Sequence, residues 1–421
     1  MTNLNVKYSI LVPARNGGKY LPTCVETIIN QDFNDYELII SDDHSSDNSD
    51  AYLTTIDNPN VKVVHPPESL SMAEHWEWVF SQSCGEWIMF VGQDDGLQPY
   101  FFKLAERLTA YANRHKIRAI MSERAYFFWP GCEAVYGDTA VSYLAVSELK
   151  IHNCKIQALL SLFGFQDYFE LPEMYTSSLF HRDIIIEVKE NQNGKVFVTH
   201  PQDANLGAIA CSLDNTYLKS GVPLGWIGSS PKSAGMAISA GSILKDKNSH
   251  TQNSDLSSLR QEYLKKTANS ELLCHPLTGD FSFASGPIYF WGALLQTQHL
   301  RKNWINNFLL SNIFKILMFA GILAKMSLSK RQYKNNKMRM FEEIIHLNRC
   351  NLTLVVIIAK LFWILYKFNS LSIRVKKRLK HLFMPSYFYK ANWKENSNIN
   401  MIVASKRIKK IIAEMKLIEK L

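Results

Sequence analysis

The sequence predicts an α/β protein in which a mostly parallel sheet is flanked by helices and followed by an α-helical C-terminal region. Strand-like apolar runs alternate with helix-like segments from the N-terminus onward, which is typical of parallel sheets with right-handed crossovers. Acidic and polar residues gather directly after three of these runs. From residue 300 onward the chain becomes apolar and strongly basic, so a distinct C-terminal region is expected.

The predicted strands are short runs of apolar, β-forming residues, which suit buried positions in a sheet. These runs are Tyr8–Pro13, Tyr36–Ile40, Val61–Val64 and Trp87–Val91. Helices are predicted where apolar residues recur at helical spacing. One helical face contains Leu21, Val25, Ile28 and Ile29, and another contains Met72, His75, Trp76, Val79 and Phe80 before a C-cap glycine at Gly85.

Asp94 and Asp95 follow the fourth strand, at the edge of the predicted sheet where ligands collect in open α/β folds. Two adjacent carboxylates repel each other unless a cation or a proton relieves them. Mg²⁺ is usually held between carboxylates and substrate phosphates, so this pair indicates a cation site. The Asp-Asp-Gly sequence by itself favours a plain solvated turn, and only the N-terminal motifs reverse that preference.

At 421 residues, the chain is long enough for a large core and for more than one domain. A hydrophobic content of 47% with 20% charged residues is typical of a folded protein. The net charge of +9 is unevenly distributed. Residues 300–421 contain 25 lysines and arginines against 5 acidic residues, so they carry +20 and the remainder carries −11. We therefore expect the two parts to have different roles.

The seven cysteines are scattered, with no Cys-x-x-Cys pair and no histidine at zinc-binding spacing. Reduced thiols in a reducing compartment are the expected state. The N-terminal apolar run Tyr8–Pro13 is too short for the apolar region of a signal peptide. These observations predict a cytoplasmic protein.

Three motifs follow the predicted strands in a fixed order. They are Pro13-Ala-Arg-Asn, then Ser41-Asp-Asp-His-Ser-Ser-Asp, and then Gly85-Glu-Trp-Ile with the Gln-Asp-Asp-Gly loop. In this order and spacing the chain resembles the family 2 glycosyltransferases of the GT-A fold, over roughly residues 6–215. The stretch before Gly85 is similar to that of a bacterial branch with an Asn-Trp-Glu pattern, in which His75 here replaces the asparagine.

The resemblance implies a nucleotide-diphosphate sugar donor, a divalent metal (Mg²⁺ or Mn²⁺) and inversion at the anomeric carbon. It implies nucleotide contacts for Pro13, Ala14, Arg15 and Asn16, and positions near the base and ribose for Asp42 and Asp43. Asp94 is expected to face the sugar or the ribose, and Asp95 is the expected metal ligand. Gly92 departs from the family, which often has an acidic residue there, so metal affinity is expected to be weakened.

Two later segments also match the family. Thr176-Ser-Ser-Leu-Phe-His-Arg-Asp resembles its strand of small residues followed by arginine, and His200-Pro-Gln-Asp resembles its acidic pair, with Gln202 replacing the usual glutamate. The resemblance implies that Asp203 is the general base, and transfer to a hydroxyl group needs such a carboxylate to accept the proton. The alternative is that Asp203 is a helix N-cap.

Residues 216–241 are rich in glycine, serine and proline. They are equally consistent with a mobile flap, in which Trp226 stacks on the acceptor, and with a plain surface loop.

We expect residues 1–300 to form the catalytic domain and residues 301–421 a basic, helical region. Two apolar stretches, 305–326 and 352–368, contain lysines and are flanked by Lys/Arg clusters. This pattern suits helices that lie on an anionic membrane surface without spanning it. The alternatives are a helical subdomain packed on the catalytic domain and a nucleic-acid-binding region. We expect no nucleic-acid partner, because nucleic acid gives no reason for two long apolar helices.

The sequence thus predicts a metal-assisted inverting glycosyltransferase of polysaccharide biosynthesis. Its acceptor would be a cell-envelope glycan or a lipid-linked molecule. The protein would be located at the inner face of the cell membrane. Two other functions stay open. One is an inactive module that binds nucleotide sugars, in line with Gly92 and Gln202. The other is a nucleotidyltransferase, although Gly17-Gly18 is too little for the glycine-rich phosphate loop of that class.

Overall fold

The computed structural model describes residues 6–197, 202–233, 286–301, 309, 311–328, 345, 349–395 and 398–421. The strands are β1 (Tyr8–Ala14), β2 (Tyr36–Asp42), β3 (Val61–Val64), β4 (Trp87–Phe90), β5 (Gly96–Leu97), β6 (Ala119–Ser122), β7 (Ala125–Phe128), β8 (Thr139–Val146), β9 (Leu149–Asn153), β10 (Ser178–His181), β11 (Thr216–Ser220), β12 (Gly225–Ser229) and β13 (Ser386–Asn392).

The helices alternate with these strands over the N-terminal part of the chain and dominate its C-terminal part. They are α1 (Leu21–Ile29), α2 (Ser49–Leu53), α3 (Met72–Ser81), α4 (Phe101–Arg114), α5 (Glu133–Tyr136), α6 (Cys154–Leu162), α7 (Arg182–Asn191), α8 (Gln202–Leu213), α9 (Gly286–Gln296), α10 (Asn312–Leu328), α11 (Leu352–Phe383) and α12 (Met401–Glu414). The predicted α/β class is confirmed.

The larger sheet has the strand order β3-β2-β1-β4-β10-β6-β11-β9. Its first four strands are parallel, whereas β10 runs antiparallel between β4 and β6. The register pairs Ala14 with Asp42, so the loops after β1 and β2 leave the sheet side by side. The predicted clustering of polar residues at one edge of the sheet therefore has a structural basis.

The strands of this sheet separate two hydrophobic cores. Alternate residues, such as Ile10 and Leu38, face a core that includes α1, α4 and α12. Their neighbours Leu11 and Ile39 face a core that includes α3, α8, α9 and α10. Burial on both faces explains why these strands are continuous apolar runs in the sequence.

A smaller sheet has the order β13-β8-β7-β12-β5. Its edge strand β13 comes from the predicted helical region, where Tyr387, Phe388 and Tyr389 have the aromatic composition of a strand. The helix α12 then packs Met401 and Ile408 into the core that also contains α1. The division at residue 300 stays a prediction, but residues 386–421 pack on strands that precede it.

Trp226 is a core residue, which corrects both readings of residues 216–241. It lies in β12 with no exposed surface, and its Nε1 donates a hydrogen bond of 2.8 Å to Ser405 Oγ in α12. The residues up to Ser233 form β11, β12 and their connections, and residues 234–241 lie outside the described part of the chain. An acceptor cannot stack on Trp226 in this arrangement.

Candidate active site

The loops after β1 and β2 are joined by side-chain hydrogen bonds to backbone groups. The Asn16 amide donates to Ser45 Oγ at 2.7 Å, and the Ser46 amide donates to Asn16 Oδ1 at 2.8 Å. Gln93, from the loop after β4, accepts from the Arg15 amide at 2.9 Å and donates to the Arg15 carbonyl at 3.1 Å. These bonds bring three strand-end loops together as one polar crevice.

Asp42 and Asp43 lie at the end of β2 and are both buried. Asp43 accepts from Arg15 Nη1 at 2.9 Å and from the Leu70 amide at 3.0 Å, so its charge is compensated. Asp42 accepts from the amide of Ser45 at 3.1 Å and from its hydroxyl group. Pro13 and Ala14 end the neighbouring strand, and the Ala14 carbonyl accepts from the Asp43 amide at 2.9 Å.

The helix α3 is positioned against this crevice by its own N-terminus. Ser71 and Glu74 form a capping box, in which each side chain accepts a hydrogen bond from the other residue's backbone amide. On the buried face of the helix, His75 Nε2 lies 2.7 Å from Ser41 Oγ. The histidine that departs from the family pattern therefore ties α3 to the end of β2.

Asp95 is held by donors from three parts of the chain. Its Oδ2 accepts from the Gly92 amide at 3.0 Å and from Thr176 Oγ1 at 2.6 Å. Its Oδ1 accepts from the Gly228 amide at 2.6 Å, and the Tyr175 hydroxyl is a further hydrogen-bond partner of the carboxylate. A carboxylate has about four acceptor positions, so internal partners use most of this capacity. Asp95 joins the loop after β4 to β12 and to the segment before β10.

The departure at Gly92 has a local structural reason. A Cβ atom at this position would collide with the hydroxyl of Tyr175 and would lie 2.8 Å from Asp95 Oδ2. Tyr175 therefore occupies the space that an acidic side chain at position 92 would need. Gly228 is required for a similar reason, because a Cβ atom there would overlap the Asp94 carbonyl oxygen.

The two adjacent carboxylates differ in how accessible they are. Asp94 is 8% exposed and Asp95 is 1% exposed. Burial and the neighbouring Asp94 raise the pKa of Asp95 to about 7, whereas its hydrogen-bond donors act in the opposite direction. Burial also raises the pKa of Asp94, whose Oδ2 accepts from the Ser230 amide at 3.1 Å.

These contacts bear on which residue could hold a metal ion. Asp95 does not fit the predicted role, because its oxygens are already used by chain donors from Gly92, Thr176 and Gly228. Asp94 is the more exposed carboxylate of the pair, and its described hydrogen bonds to other residues are all with Ser230. Mg²⁺ is often bound by one or two carboxylates together with substrate phosphates, so Asp94 fits such an ion.

A separate group of potential metal ligands lies beside the crevice. Among the residues that the structure describes, Asp42, Asp50 and His65 have ligand atoms within 4.8 Å of one another. Asp50 and His65 are exposed, with side-chain exposures of 62% and 48%. Exposed groups of this kind also occur without a metal ion, and the Asp94–Asp95 pair is not part of this group.

Asp203 lies in the first turn of α8, and its carboxylate faces Tyr168. The Tyr168 hydroxyl lies 3.4 Å from Oδ1 and 3.3 Å from Oδ2, and the Ala204 amide donates to Oδ1 at 2.7 Å. An N-cap side chain accepts a hydrogen bond from the backbone amide two or three residues further along the chain. The described hydrogen bonds of Asp203 include no such contact. Burial raises the pKa of Asp203, while the Arg124 charge and these donors lower it.

A buried ion pair lies next to Asp203. Arg124 donates to both oxygens of Glu173, at 2.7 and 2.6 Å, and the Glu173 side chain is 1% exposed. The charge of Arg124 acts on Asp203, and the negative charge of Asp203 raises the pKa of Glu173 further than burial alone. Arg124 thus compensates two carboxylates, those of Glu173 and Asp203.

Tyr175 and Tyr168 were not identified from the sequence. The Tyr175 hydroxyl hydrogen-bonds Asp95, and burial raises the pKa of Tyr175 together with the charges of the Asp94–Asp95 pair and of Asp203. An available signal was the tyrosine directly before Thr176-Ser-Ser, where the family resemblance was already noted. Nothing in the local sequence of Tyr168 indicated its contact with a residue 35 positions later.

The comparisons with known proteins agree with this geometry. Residues 9–136 match the family described as Glycosyl transferase family 2. Glycosyltransferase GlyG of Streptococcus pneumoniae serotype 4 is 37% identical over 91 residues, which are 21% of this chain and 30% of that protein. A PGL/p-HBAD biosynthesis glycosyltransferase of Mycobacterium bovis is 27% identical over 112 residues, which are 26% of this chain and 43% of that protein.

The chain spans less than half the length of these curated relatives. Among solved structures, S. aureus TarS 1-349 in complex with UDP-GlcNAc has a TM-score of 0.43 at 14% identity, with 82% of this chain and 93% of that chain covered. The matched residues 9–136 contain the three strand-end loops that build the crevice, and this segment is similar to glycosyl transferase family 2.

Proposed function

We propose that the protein transfers a sugar from a nucleotide-diphosphate donor to an acceptor hydroxyl group, with inversion at the anomeric carbon. The observation that carries this proposal is the hydrogen-bonded set of loops at the ends of β1, β2 and β4, which lies within the segment that matches glycosyl transferase family 2. The bond from the anomeric carbon to the diphosphate oxygen breaks, and a bond to the acceptor oxygen forms. Asp203 accepts the proton that the acceptor hydroxyl loses.

The donor is assigned to the crevice at the ends of β1, β2 and β4. Pro13, Ala14, Arg15 and Asn16 contact the nucleotide, and Asp42 and Asp43 lie at the base and ribose. Arg15 compensates the charge of Asp43, whereas the chain donors to Asp42 are the uncharged amide and hydroxyl of Ser45. The acidic lining favours groups that donate hydrogen bonds, and it disfavours a bare diphosphate unless a cation accompanies it.

For the divalent metal, Asp94 replaces Asp95 as the proposed ligand. When bound, the ion supplies positive charge against the charge that develops on the leaving diphosphate. Asp95 keeps Asp94 in place, because it fixes the loop after β4 to the amide of Gly228 in β12. Tyr175 occupies the space that an acidic side chain at position 92 would need, so the loop after β4 is packed without one.

The proposal predicts a cation-dependent donor complex. We expect one nucleotide-diphosphate sugar of a panel to raise the melting temperature with Mg²⁺ or Mn²⁺ and much less with a chelator, because only the folded state binds it. Slow hydrolysis of the bound donor, which releases the nucleoside diphosphate, should accompany binding. An inactive module would give the thermal shift without release. A nucleotidyltransferase would instead release pyrophosphate from a nucleoside triphosphate and a sugar phosphate. No shift with any nucleotide sugar would contradict the proposal.

We also propose that α11 docks the protein on an anionic membrane surface, at the inner face of the cell membrane. The inward side of this helix packs through Val355, Ala359, Phe362 and Tyr366. The opposite side is apolar as well and is largely exposed. It is called here the outer face of α11, and it comprises Leu354, Val356, Ile357, Leu361, Ile364, Leu365, Phe368 and Leu371.

An exposed apolar face of this length marks an interaction site. The stretch Leu352–Leu371 has a mean hydropathy of 1.7, and 22% of its apolar 18-residue window is buried. By length and composition alone, this stretch could also cross a membrane. Lys360 lies within it, and the sequence of α11 contains seven lysines and arginines with no acidic residue. Basic residues beside an apolar face suit the surface of an anionic bilayer, and a lipid-linked acceptor would be found there.

Replacing three outer-face residues, as Leu361→Gln, Leu365→Gln and Phe368→Gln together, should abolish sedimentation with phosphatidylglycerol vesicles, because the buried apolar area is lost. Donor-induced thermal shifts should persist. Ile151→Gln with Ile186→Gln is the matched control, since both side chains are exposed and distant in sequence. Truncation at residue 300 would not serve, because it removes β13 and α12 from the cores. Wild-type protein that ignores these vesicles at physiological salt would overturn the membrane proposal.

A further inference from the structure

The outward side of β7 carries aromatic rings that the hydrophobic cores do not use. Ala125 and Phe127 point inward and have no exposed surface, whereas Tyr126 and Phe128 alternate with them and are half-buried. The Tyr126 and Phe128 rings lie 5.8 Å apart with an interplanar angle of 1°. The Tyr136 ring lies 4.4 Å from Phe128. We name Tyr126, Phe128 and Tyr136 the aromatic platform.

The aromatic platform is continuous with the surroundings of Asp203. The Tyr126 hydroxyl hydrogen-bonds the side chain of Arg124. The guanidinium carbon of Arg124 lies 4.6 Å from the centre of the Phe169 ring, and Phe169 lies 4.3 Å from Tyr168. Tyr168 in turn hydrogen-bonds Asp203. A row of flat side chains therefore leads from Tyr136 to the proposed general base.

Two neighbouring aromatic residues on one face of a strand can simply stabilise a sheet. That reading does not explain why the row ends at the carboxylate of Asp203. Ligand sites of proteins combine aromatic surfaces with a few polar groups that fix orientation, and this row has both. Tyrosine is suited to such a ligand site because its ring is apolar while its hydroxyl group stays solvated and can form hydrogen bonds.

We propose that the aromatic platform binds the acceptor, and that the acceptor is a glycan made of pyranose rings whose apolar C–H faces pack on Tyr126 and Phe128. This inference rests on the proposed function, because it takes Asp203 as the group that receives the acceptor proton. The sugar units on the platform precede the unit whose hydroxyl group reacts. Arg124 and the hydroxyl of Tyr126 orient the chain of sugars by hydrogen bonds to its hydroxyl groups.

The test uses an array of pyranose oligosaccharides, probed with the full chain and with Phe128→Leu. The wild-type protein should bind at least one glycan, and Phe128→Leu should weaken that binding about tenfold, as expected for loss of an aromatic contact of about 1.4 kcal/mol. Phe128→Trp should retain it. Tyr111→Leu is the control, because Tyr111 is a half-buried ring on α4 outside the row. The donor-induced thermal shift should be the same in all four proteins.

The outcomes separate this inference from the proposed function. Glycan binding that depends on Phe128, without any donor binding, would support the platform and contradict the transferase. Donor binding and donor hydrolysis without binding to any pyranose glycan would support the transferase and overturn the platform. Equal glycan binding by wild type and Phe128→Leu would also overturn it, because the ring would then carry no recognition.

Discussion

Replacing Asp203 by asparagine is expected to lower kcat for transfer by a factor of about 10² to 10⁴, which is the usual contribution of a general base. The amide cannot accept the acceptor proton, although it keeps the size of the carboxylate. Donor affinity should change little, because the donor crevice lies at the ends of β1, β2 and β4. The measurements are single-substrate kinetics with acceptor in excess and donor binding by thermal shift.

The pH dependence of transfer provides a second test of the role of Asp203. Burial raises the pKa of Asp203, and only the ionised form accepts a proton. Transfer should therefore fall as the pH is lowered through this raised pKa. In Asp203→Asn the contribution of Asp203 to the acidic limb should be lost, so that only that of the Asp94–Asp95 pair remains. Tyr168→Phe removes a donor to the carboxylate, which should move the acidic limb to higher pH with a smaller loss of rate. An unchanged kcat in Asp203→Asn would return Asp203 to a structural role.

The second large effect is a contrast between two neighbouring substitutions. Asp94→Asn should reduce metal-dependent transfer by about 10²-fold or more, because the proposed metal ligand is weakened. Asp95→Asn should mainly reduce stability, since an amide group cannot accept from Gly92, Gly228 and Thr176 together. One buried backbone amide would be left without an acceptor, which costs about 1 to 3 kcal/mol.

Comparing the two variants removes the effect that they share. Either substitution abolishes the repulsion between the adjacent carboxylates, so that gain cancels in the difference. Asp94→Asn should therefore be more stable than Asp95→Asn by about 1 to 3 kcal/mol, measured by denaturant unfolding without metal. If Asp95→Asn were fully stable but inactive with every cation, Asp95 would be the metal ligand and the assignment made here would be wrong.

The predicted strands and their loops agree closely with the structure because their signals are local. The apolar runs from Tyr8, Tyr36, Val61 and Trp87 are β1 to β4, and the helical spacing from Met72 to Phe80 is part of α3. Buried parallel strands require continuous apolar runs, and polar residues can follow only where a strand leaves the core. The loop residues Arg15, Asp43 and Asp94 were therefore placed at one edge from the sequence.

The C-terminal region shows where the pattern of the sequence was insufficient. Its charge and its apolar helices were recognisable, and α10 and α11 overlap the predicted stretches 305–326 and 352–368. The pairing of Ser386–Asn392 with β8 could not be predicted from the sequence. The two strands are more than 200 residues apart, and the local sequence of a strand does not indicate so distant a partner. For the same reason Trp226 was interpreted as part of a loop, although α12 covers it.

The sequence by itself determined the α/β class, the edge of the sheet where the acidic residues meet, and the family that residues 9–136 resemble. Only the tertiary structure decided what each carboxylate can do, because the availability of an oxygen depends on donors from elsewhere in the chain. Thr176 and Gly228, which lie 81 and 133 positions from Asp95, occupy its oxygens, and Asp94 is the more exposed carboxylate of the pair. Hydrogen-bond capacity is a property of the folded site, and the order of residues in a motif does not contain it.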